Sequence, residues 1–263
     1  MIWKIANLIF KLSDKIYFSD EKKNWRSAIN SSQSYQDKII FDKVIKCFEK
    51  IKNKKTEFYE RDGWIFNQKP DESDLIEFLK KNVSKKNTPF QVLDYGGSLG
   101  SRYFSNYNFV KNNKIYWNIV EQSRFVKYGK RNLQTDNLKF FNSLSECLNY
   151  KKMNCVIFSG SLQYLENYYQ ILNEMKKENI TYIFIDNLPL SNYNQNKIFV
   201  QNISKKIYNS SYPIHIFSKK AFINEVKKLN FKVLKVKMNP TVFYGFNYYS
   251  LVLENKILRY KIK

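Results

Sequence analysis

Gln91-Val92-Leu93-Asp94-Tyr95-Gly96-Gly97-Ser98-Leu99-Gly100 decides the fold of this 263-residue chain. The first four residues have strand character. Three glycines in the next six positions impose a tight turn, and a helix-like segment runs from about Ser101 to Val110. Strand, glycine turn and helix in that order build the crevice at a strand's carboxyl end in an open α/β sheet. Glycine allows the sharp turn and lets a ligand approach the main chain without meeting a Cβ.

Two better-known glycine patterns fail. The dinucleotide fingerprint G-x-G-x-x-G finds Gly96, Ser98, Ser101 in one register and Gly97, Leu99, Arg102 in the other. No Gly-Lys-Ser/Thr follows, which excludes a P-loop. Asp-x-Gly-x-x-x-Gly does fit, with Asp94, Gly96 and Gly100 at its fixed positions and Ser98 in the middle. An acid two residues before the first glycine can hold a cationic or hydroxylated ligand portion, which suits S-adenosylmethionine better than a dinucleotide. A second acid supports this. Tyr116-Trp117-Asn118-Ile119-Val120-Glu121 reads as a neighbouring strand ending in a carboxylate, where both ribose hydroxyls of a nucleoside can be received. Tyr95, Gly97 and Gln122 complete this part of the expected cofactor site.

Outward from that turn, strand and helix alternate. Strands are expected at 90–95, 115–121, 138–142, 154–159, 181–186, 231–238 and 246–254. Helices are expected at 101–111, 122–134, 143–150, 163–179 and 218–229, preceded by helices over 35–53 and 71–82. Asp71, Glu72 and Asp74 begin the last of these, where the helix dipole favours acids. Alternation implies an α/β fold with a mostly parallel seven-stranded sheet, helices on both faces and an antiparallel hairpin at the end. Residues 1–70 are expected to form an N-terminal helical extension, with a candidate lid at Phe58-Tyr59-Glu60-Arg61-Asp62-Gly63. Residues 71–263 form the cofactor-binding domain. The stretch 187–217 reads as a long irregular loop, a length usually reserved for function.

Ligands lie beyond the carboxyl ends of strands in such sheets. After the third strand come Asn142 and Ser143, placed to border an adenine ring. After the fourth come Ser159, Gly160 and Ser161, small enough to face the methionine part of a cofactor, with Gln163 and Tyr164 opening the next segment toward substrate. After the fifth comes Asp186. His215, the single histidine, is the only side chain whose ordinary pKa lies near neutrality. Methyl transfer to a hydroxyl needs alignment and removal of a proton, and Asp186 or His215 are the candidate bases.

The chain carries 45 Lys+Arg against 23 Asp+Glu, a net charge of +22. Taken alone, this suggests nucleic acid or anionic membrane. The excess is nearly all lysine, in company with Asn, Ile, Phe and Tyr, all of which can be encoded by AT-rich codons. Phosphate and base recognition favours arginine, which is rare here. Compositional drift therefore outweighs nucleic-acid binding as the cause of the charge, while attraction to acidic substrates or lipids stays open. Cys47, Cys147 and Cys155 show no C-x-x-C spacing, so no Cys/His metal site is expected and a reducing cytoplasm suits them. Ile2, Ile5, Ile9, Leu12 and Ile16 give residues 2–18 the stripe of an amphipathic helix, a candidate peripheral membrane contact at the inner face. Lys4 and Lys11 interrupt the apolar run and no cleavage site follows, so a signal peptide is not expected.

The stretches Tyr59-Glu60-Arg61-Asp62, Leu93-Asp94-Tyr95-Gly96-Gly97-Ser98-Leu99-Gly100-Ser101, Trp117-Asn118-Ile119-Val120-Glu121-Gln122, Leu162-Gln163-Tyr164-Leu165 and Ser211-Tyr212-Pro213 resemble a family of bacterial methyltransferases often encoded near surface-polysaccharide genes. The likeness runs from about residue 25 to 240. It implies a Rossmann-like class I methyltransferase fold and S-adenosylmethionine held around Asp94, Gly96, Ser98, Gly100 and Glu121. The shared motifs also make Tyr59, Arg61 and Tyr212 candidate substrate contacts. Members of that family tend to carry an aromatic residue, commonly Trp, where His215 stands, a departure that weakens the case for a base at that position.

The expectation is a cytoplasmic S-adenosylmethionine-dependent enzyme that methylates a sugar or sugar-nucleotide hydroxyl, the acceptor resting on the resemblance. Two other readings accompany it. One is an RNA methyltransferase or RNA-binding protein, favoured by charge and tyrosine content but lacking an Asn-Pro-Pro-Tyr motif and arginine clusters. The other is a non-catalytic interaction module, favoured by Ser98 at a position where methyltransferases often carry glycine.

Overall fold

The apolar spacing that marks helices in the sequence becomes buried stripes in the structure. Ile40, Val44 and Phe48 recur four residues apart on the helix Lys38–Lys52 and are buried. Leu75, Phe78, Leu79 and Asn82 do the same on Ser73–Val83, with Asp74 in its first turn and Lys80 and Lys81 in its last, as the helix dipole favours. The computed structural model describes residues 16–33, 38–52, 59–61, 63–83, 89–204, 209–243 and 245–256. Its strands, in chain order, are β1 (Tyr17–Phe18), β2 (Tyr59–Arg61), β3 (Trp64–Phe66), β4 (Phe90–Tyr95), β5 (Ile115–Val120), β6 (Leu138–Phe141), β7 (Cys155–Ser159), β8 (Tyr182–Ser191), β9 (Lys197–Ile203), β10 (Ser210–Ser218), β11 (Phe231–Phe243) and β12 (Phe246–Asn255).

The described residues fall into two units. One takes residues 41–159 and 177–184, the other 16–40, 160–176 and 185–256. In the first, β4 is flanked by β7 and β5, with β6 outside β5, and every pairing is parallel. Leu93 of β4 sits opposite Val156 on one side and Asn118 on the other. The first five residues of β4 are all buried, as expected of a strand covered on both faces. The helices Ser123–Asn132 and Leu144–Tyr150 each follow a strand of this set, and Ser143 caps the second by accepting from the Glu146 amide at 3.1 Å. A two-stranded hairpin, β2 with β3, belongs to the same unit.

In the second unit β11 and β12 form the expected antiparallel hairpin. Besides β2 and β3, three strands here add to the seven that were expected. β1 lies antiparallel to β9, β9 antiparallel to β10, and β10 parallel to β8 from Phe217 and Ser218 onward. Phe18, Phe199, Ile214, Ile216 and Phe246 make one buried cluster there. The supposed loop 187–217 is therefore mostly strand. All nine residues of β10 are buried, which removes the alternation that would have marked it. Pro213 reads as a strand breaker, yet it pairs with Val200 in a stretch where β8 has not yet joined.

Three helix expectations also change. Residues 17 and 18, the end of the proposed amphipathic helix, are strand, and the rest of that stretch lies outside the described residues apart from Ile16. The helix over 101–111 is two, Ser101–Ser105 and Tyr107–Asn112, parted at Asn106, whose side chain bonds to Glu72 and to the Arg102 carbonyl. The helix over 163–179 opens as a 3-10 turn, Leu162–Tyr164, and resumes at Tyr168–Lys177.

Candidate functional site

The glycine turn is tied to β5 and its following residue. Gly96 has φ of 76°, and its amide donates to the Val120 carbonyl at 2.8 Å, tying the turn to β5. Gly100, at φ 88°, begins the helix Ser101–Ser105. Gly97 is required by space instead: a Cβ there would stand 2.7 Å from both Cγ and Oδ2 of Asp94. Ser98 has φ of 52°, the left-handed region that costs a side-chain-bearing residue about 1 kcal/mol. Glu121 then closes the turn. Its Oε2 accepts from the Ser98 amide at 3.1 Å and its Oε1 from the Gln122 amide at 2.8 Å. The two acidic strand ends picked out in the sequence thus lie on either side of the same turn. The Ser98 hydroxyl is buried with no hydrogen-bond partner among the described residues.

Asp94 points inward. It is 1 % exposed, and Oδ2 accepts from the Trp117 indole N–H at 3.0 Å. Burial pushes its pKa up to about 6; Arg102 and the Trp117 bond act against that, Glu72 adds to it, and Arg61 opposes it more weakly. Its carboxylate thus braces the turn from beneath.

Behind Asp94 lies an ionic network that sequence reading missed. Glu72 is buried and receives Arg61 and the Asn106 amide, with Arg102 Nη1 at 3.3 Å. Arg102 is itself buried, and its Nη2 donates to the Ser159 hydroxyl at the end of β7. Lys69 Nζ donates to Asn106 Oδ1 at 2.9 Å. Glu60 is buried beside them and accepts from the Gly63 amide at 2.8 Å and the Ser101 hydroxyl at 2.6 Å. Arg61, expected to meet substrate, is engaged with Glu72, while Tyr59 is half-buried in β2.

Tyr95 is half-buried, with its ring centroid 5.4 Å from that of Phe158. Asn142 and Ser143 are exposed beyond β6. The Asn142 amide donates to Glu146 Oε2 at 2.8 Å, and Ser143 acts as a helix cap.

The remaining candidates belong to the second unit. The Gly160 amide donates to the Asp186 carbonyl at 2.9 Å, with Ser161 following at the start of the 3-10 turn. Gln163 is 2 % exposed; Nε2 donates to the Asn187 carbonyl at 3.2 Å, and Oε1 has no partner among the described residues. Asp186 Oδ1 accepts from the Ser250 hydroxyl at 2.7 Å, and Oδ2 from Asn187 Nδ2 at 3.3 Å. Tyr164 donates to Gln201 at 2.9 Å and meets the buried Tyr212 edge-on at 5.1 Å. His215 is buried in an aromatic stack, 4.5 Å from Trp25 and 5.4 Å from Phe217 between ring centroids, with the Tyr168 ring edge-on at 5.1 Å.

No family model and no curated protein matches the sequence. Solved structures do match. The N-terminal domain of EvdMO1, crystallised in the presence of S-adenosylhomocysteine and D-fucose, is 9 % identical and has a TM-score of 0.51, the match covering 84 % of this chain and 100 % of that one. The fold is that of the class I methyltransferases. Two other structures match at lower TM-scores. Burkholderia thailandensis 1,6-didemethyltoxoflavin-N1-methyltransferase has 10 % identity, coverage of 69 % and 76 %, and a TM-score of 0.48. Magnesium protoporphyrin IX methyltransferase from Synechocystis has 12 % identity, coverage of 70 % and 77 %, and a TM-score of 0.46.

Within this methyltransferase fold, His215 occupies a core aromatic position. Burial lowers its pKa to about 4, partly offset by main-chain hydrogen bonds at Leu165 and Glu166. The folded state holds the imidazole neutral, whereas the unfolded chain protonates it below about pH 6.5. The unfolded state thus binds more protons between those values, and this contribution to stability falls as pH falls from 6.5 to 4. Asp94 opposes it: its raised pKa means the folded state holds a proton the unfolded chain has lost, so its contribution falls as pH rises from about 4 to 6. The two act in opposite directions over overlapping pH ranges in the wild type. His215→Phe, which keeps an aromatic ring in the stack, unmasks one side. Relative to wild type it should gain stability steadily between pH 6.5 and 4 in urea denaturation. Parallel pH curves for the two proteins would mean that the imidazole is solvated.

Proposed function

We propose that this chain is an S-adenosylmethionine-dependent methyltransferase whose acceptor is a hydroxyl of a sugar or sugar-nucleotide, acting in the bacterial cytoplasm in cell-surface polysaccharide assembly. The observation that carries the cofactor is the closure of the glycine turn by Glu121. A carboxylate offers about four acceptor positions, enough to hold two main-chain amides and ribose hydroxyls together. The site also fits a nucleoside in two further respects. The turn has no Cβ at Gly96 or Gly97, and the buried Ser98 hydroxyl has no partner among the described residues, so a ligand could supply one. The residues that would hold the cofactor are Gly96, Gly97, Ser98, Glu121 and Gln122, with Asp94 bracing them.

When bound, S-adenosylmethionine would supply a methyl group already activated on a sulfonium. The chain's own part is to align an acceptor and take up its proton. Asp186 is the base in this reading, its carboxylate oriented by Ser250 and Asn187. Gln163 Oε1, buried with no partner among the described residues, supports a hydroxyl acceptor, because an orphaned amide oxygen is satisfied by an O–H donor. The sugar acceptor itself rests on the resemblance to methyltransferases of surface-polysaccharide gene clusters.

Titration calorimetry with S-adenosylhomocysteine tests the pocket. Micromolar binding is expected, weakened about tenfold or more in Glu121→Ala, the equivalent of ~1.4 kcal/mol. Equal affinities would show the pocket is elsewhere. Incubation with methyl-labelled cofactor and separate glycan and RNA fractions tests the acceptor. Asp186→Asn should keep cofactor affinity and lose transfer to glycan by about 10²- to 10⁴-fold. Label appearing in RNA instead would overturn the sugar assignment.

A further inference from the structure

The hairpin of β2 and β3 leaves three consecutive large apolar side chains in solvent: Trp64 is 46 % exposed, Ile65 38 % and Phe66 42 %. Neighbouring residues in a strand point to opposite faces, so β3 is uncovered on both. Among the described residues β3 pairs only with β2, from Tyr59 opposite Phe66 to Arg61 opposite Trp64. Scattered exposed apolar residues are ordinary, whereas a contiguous group marks a surface that meets something.

A basic face adjoins this hairpin. Lys43, Lys46 and Lys50 recur three and four residues apart on the helix Lys38–Lys52 and so share one side of it. Lys46 and Lys50 are exposed. Two contacts fix helix and hairpin together: Cys47 Sγ donates to the Gly63 carbonyl at 3.0 Å, and Lys43 Nζ lies 4.5 Å from the centroid of the Trp64 ring. The acids Asp42 and Glu49 lie to one side of the lysine row, and Glu49 is engaged by the Tyr128 hydroxyl.

We infer that this hairpin and its lysine row form a docking surface for an anionic lipid bilayer, independently of the methyltransferase reading. Trp and Phe settle at the boundary of headgroup and acyl chain, and lysines beside them meet negative headgroups. A protein–protein contact of the same size would deplete lysine at its centre. The net charge of +22 draws the whole molecule toward such a surface. Insertion is shallow: no helix among the described residues is long and apolar enough to cross a membrane.

Co-sedimentation with phosphatidylcholine vesicles, with and without phosphatidylglycerol, tests the surface. The full chain should bind the phosphatidylglycerol vesicles about tenfold or more tightly, as expected when two or three lysines engage. The variant Trp64→Ser/Ile65→Ser/Phe66→Ser should lose that binding by about tenfold or more while still unfolding in one cooperative transition. Lys46→Glu/Lys50→Glu should lose both the binding and its salt dependence. Equal binding to both vesicle types, or undiminished binding by the triple-serine variant, overturns the inference. A wild-type dimer in gel filtration that the triple-serine variant abolishes, with vesicle binding unchanged, assigns the patch to a second copy of the chain instead.

Discussion

Gly97→Ala should weaken cofactor binding in calorimetry by one to two orders of magnitude while leaving a folded protein. The methyl group would lie 2.7 Å from the Asp94 carboxylate, closer than non-bonded atoms tolerate. Asp94 cannot retreat freely, because it is buried and bonded to Trp117. Either the carboxylate leaves Trp117 or the turn shifts outward into the room a ligand needs. Overpacking of this sort costs about 1–3 kcal/mol, or roughly 5- to 150-fold in affinity if all of it is taken from binding. The same change in Gly97→Ala/Asp94→Ala, where the opposing carboxylate is gone, should be smaller than the sum of the single effects. Wild-type affinity in Gly97→Ala would mean that the turn does not contact the ligand.

Arg102→Ala should be the most destabilising single change in this part of the molecule. The guanidinium is 7 % exposed and stands between Glu72, 1 % exposed, and Ser159. Removing one partner from a buried pair leaves a charge in low dielectric with fewer compensating bonds, typically about 3–5 kcal/mol. Two further losses follow. Arg102 is the strongest influence lowering the Asp94 pKa, so that carboxyl would rise further above its folded value of about 6. The network that holds β2 and the Asn106 helix break to the glycine turn would also open. Arg102→Lys, which keeps charge but not the planar fork, should fall between. Urea denaturation of the three proteins at pH 7 provides the measurement; a loss under about 1 kcal/mol in Arg102→Ala would be the value of a solvated surface pair.

The parts of this fold that were legible in the sequence are those encoded locally. β4 to β7, with the helices between them, follow from runs of apolar residues punctuated by Gly96, Gly100 and Ser143, because each of these sets the backbone where it stands. Glu121 could be placed for the same reason, as the residue that follows β5. What escaped is encoded across distance. β10 has no alternation because all its residues are buried, and its pairing with β9 and β8 is what makes it a strand. Glu72 lies far in sequence from Arg102 and Asn106, and no local pattern says that two arginines share one carboxylate. The aromatic neighbours of His215 come from Trp25, Tyr168 and Phe217, so one of the two candidate bases is a member of the core.

The discontinuity of the two units shapes how the chain must acquire its structure. The unit built on β4 to β7 takes up residues 177–184 only after the chain has passed through 160–176, which belong to the other. The amino-terminal segment waits longer still. Ser19 pairs with Val200 across 181 residues, and Gln33 with Ser211 across 178. On a ribosome, Phe18, Trp25 and Ala28 therefore emerge long before the strands that bury them. Closure of such distant pairs is slow, so this segment keeps its apolar side chains exposed longer during synthesis than the segments that pair locally.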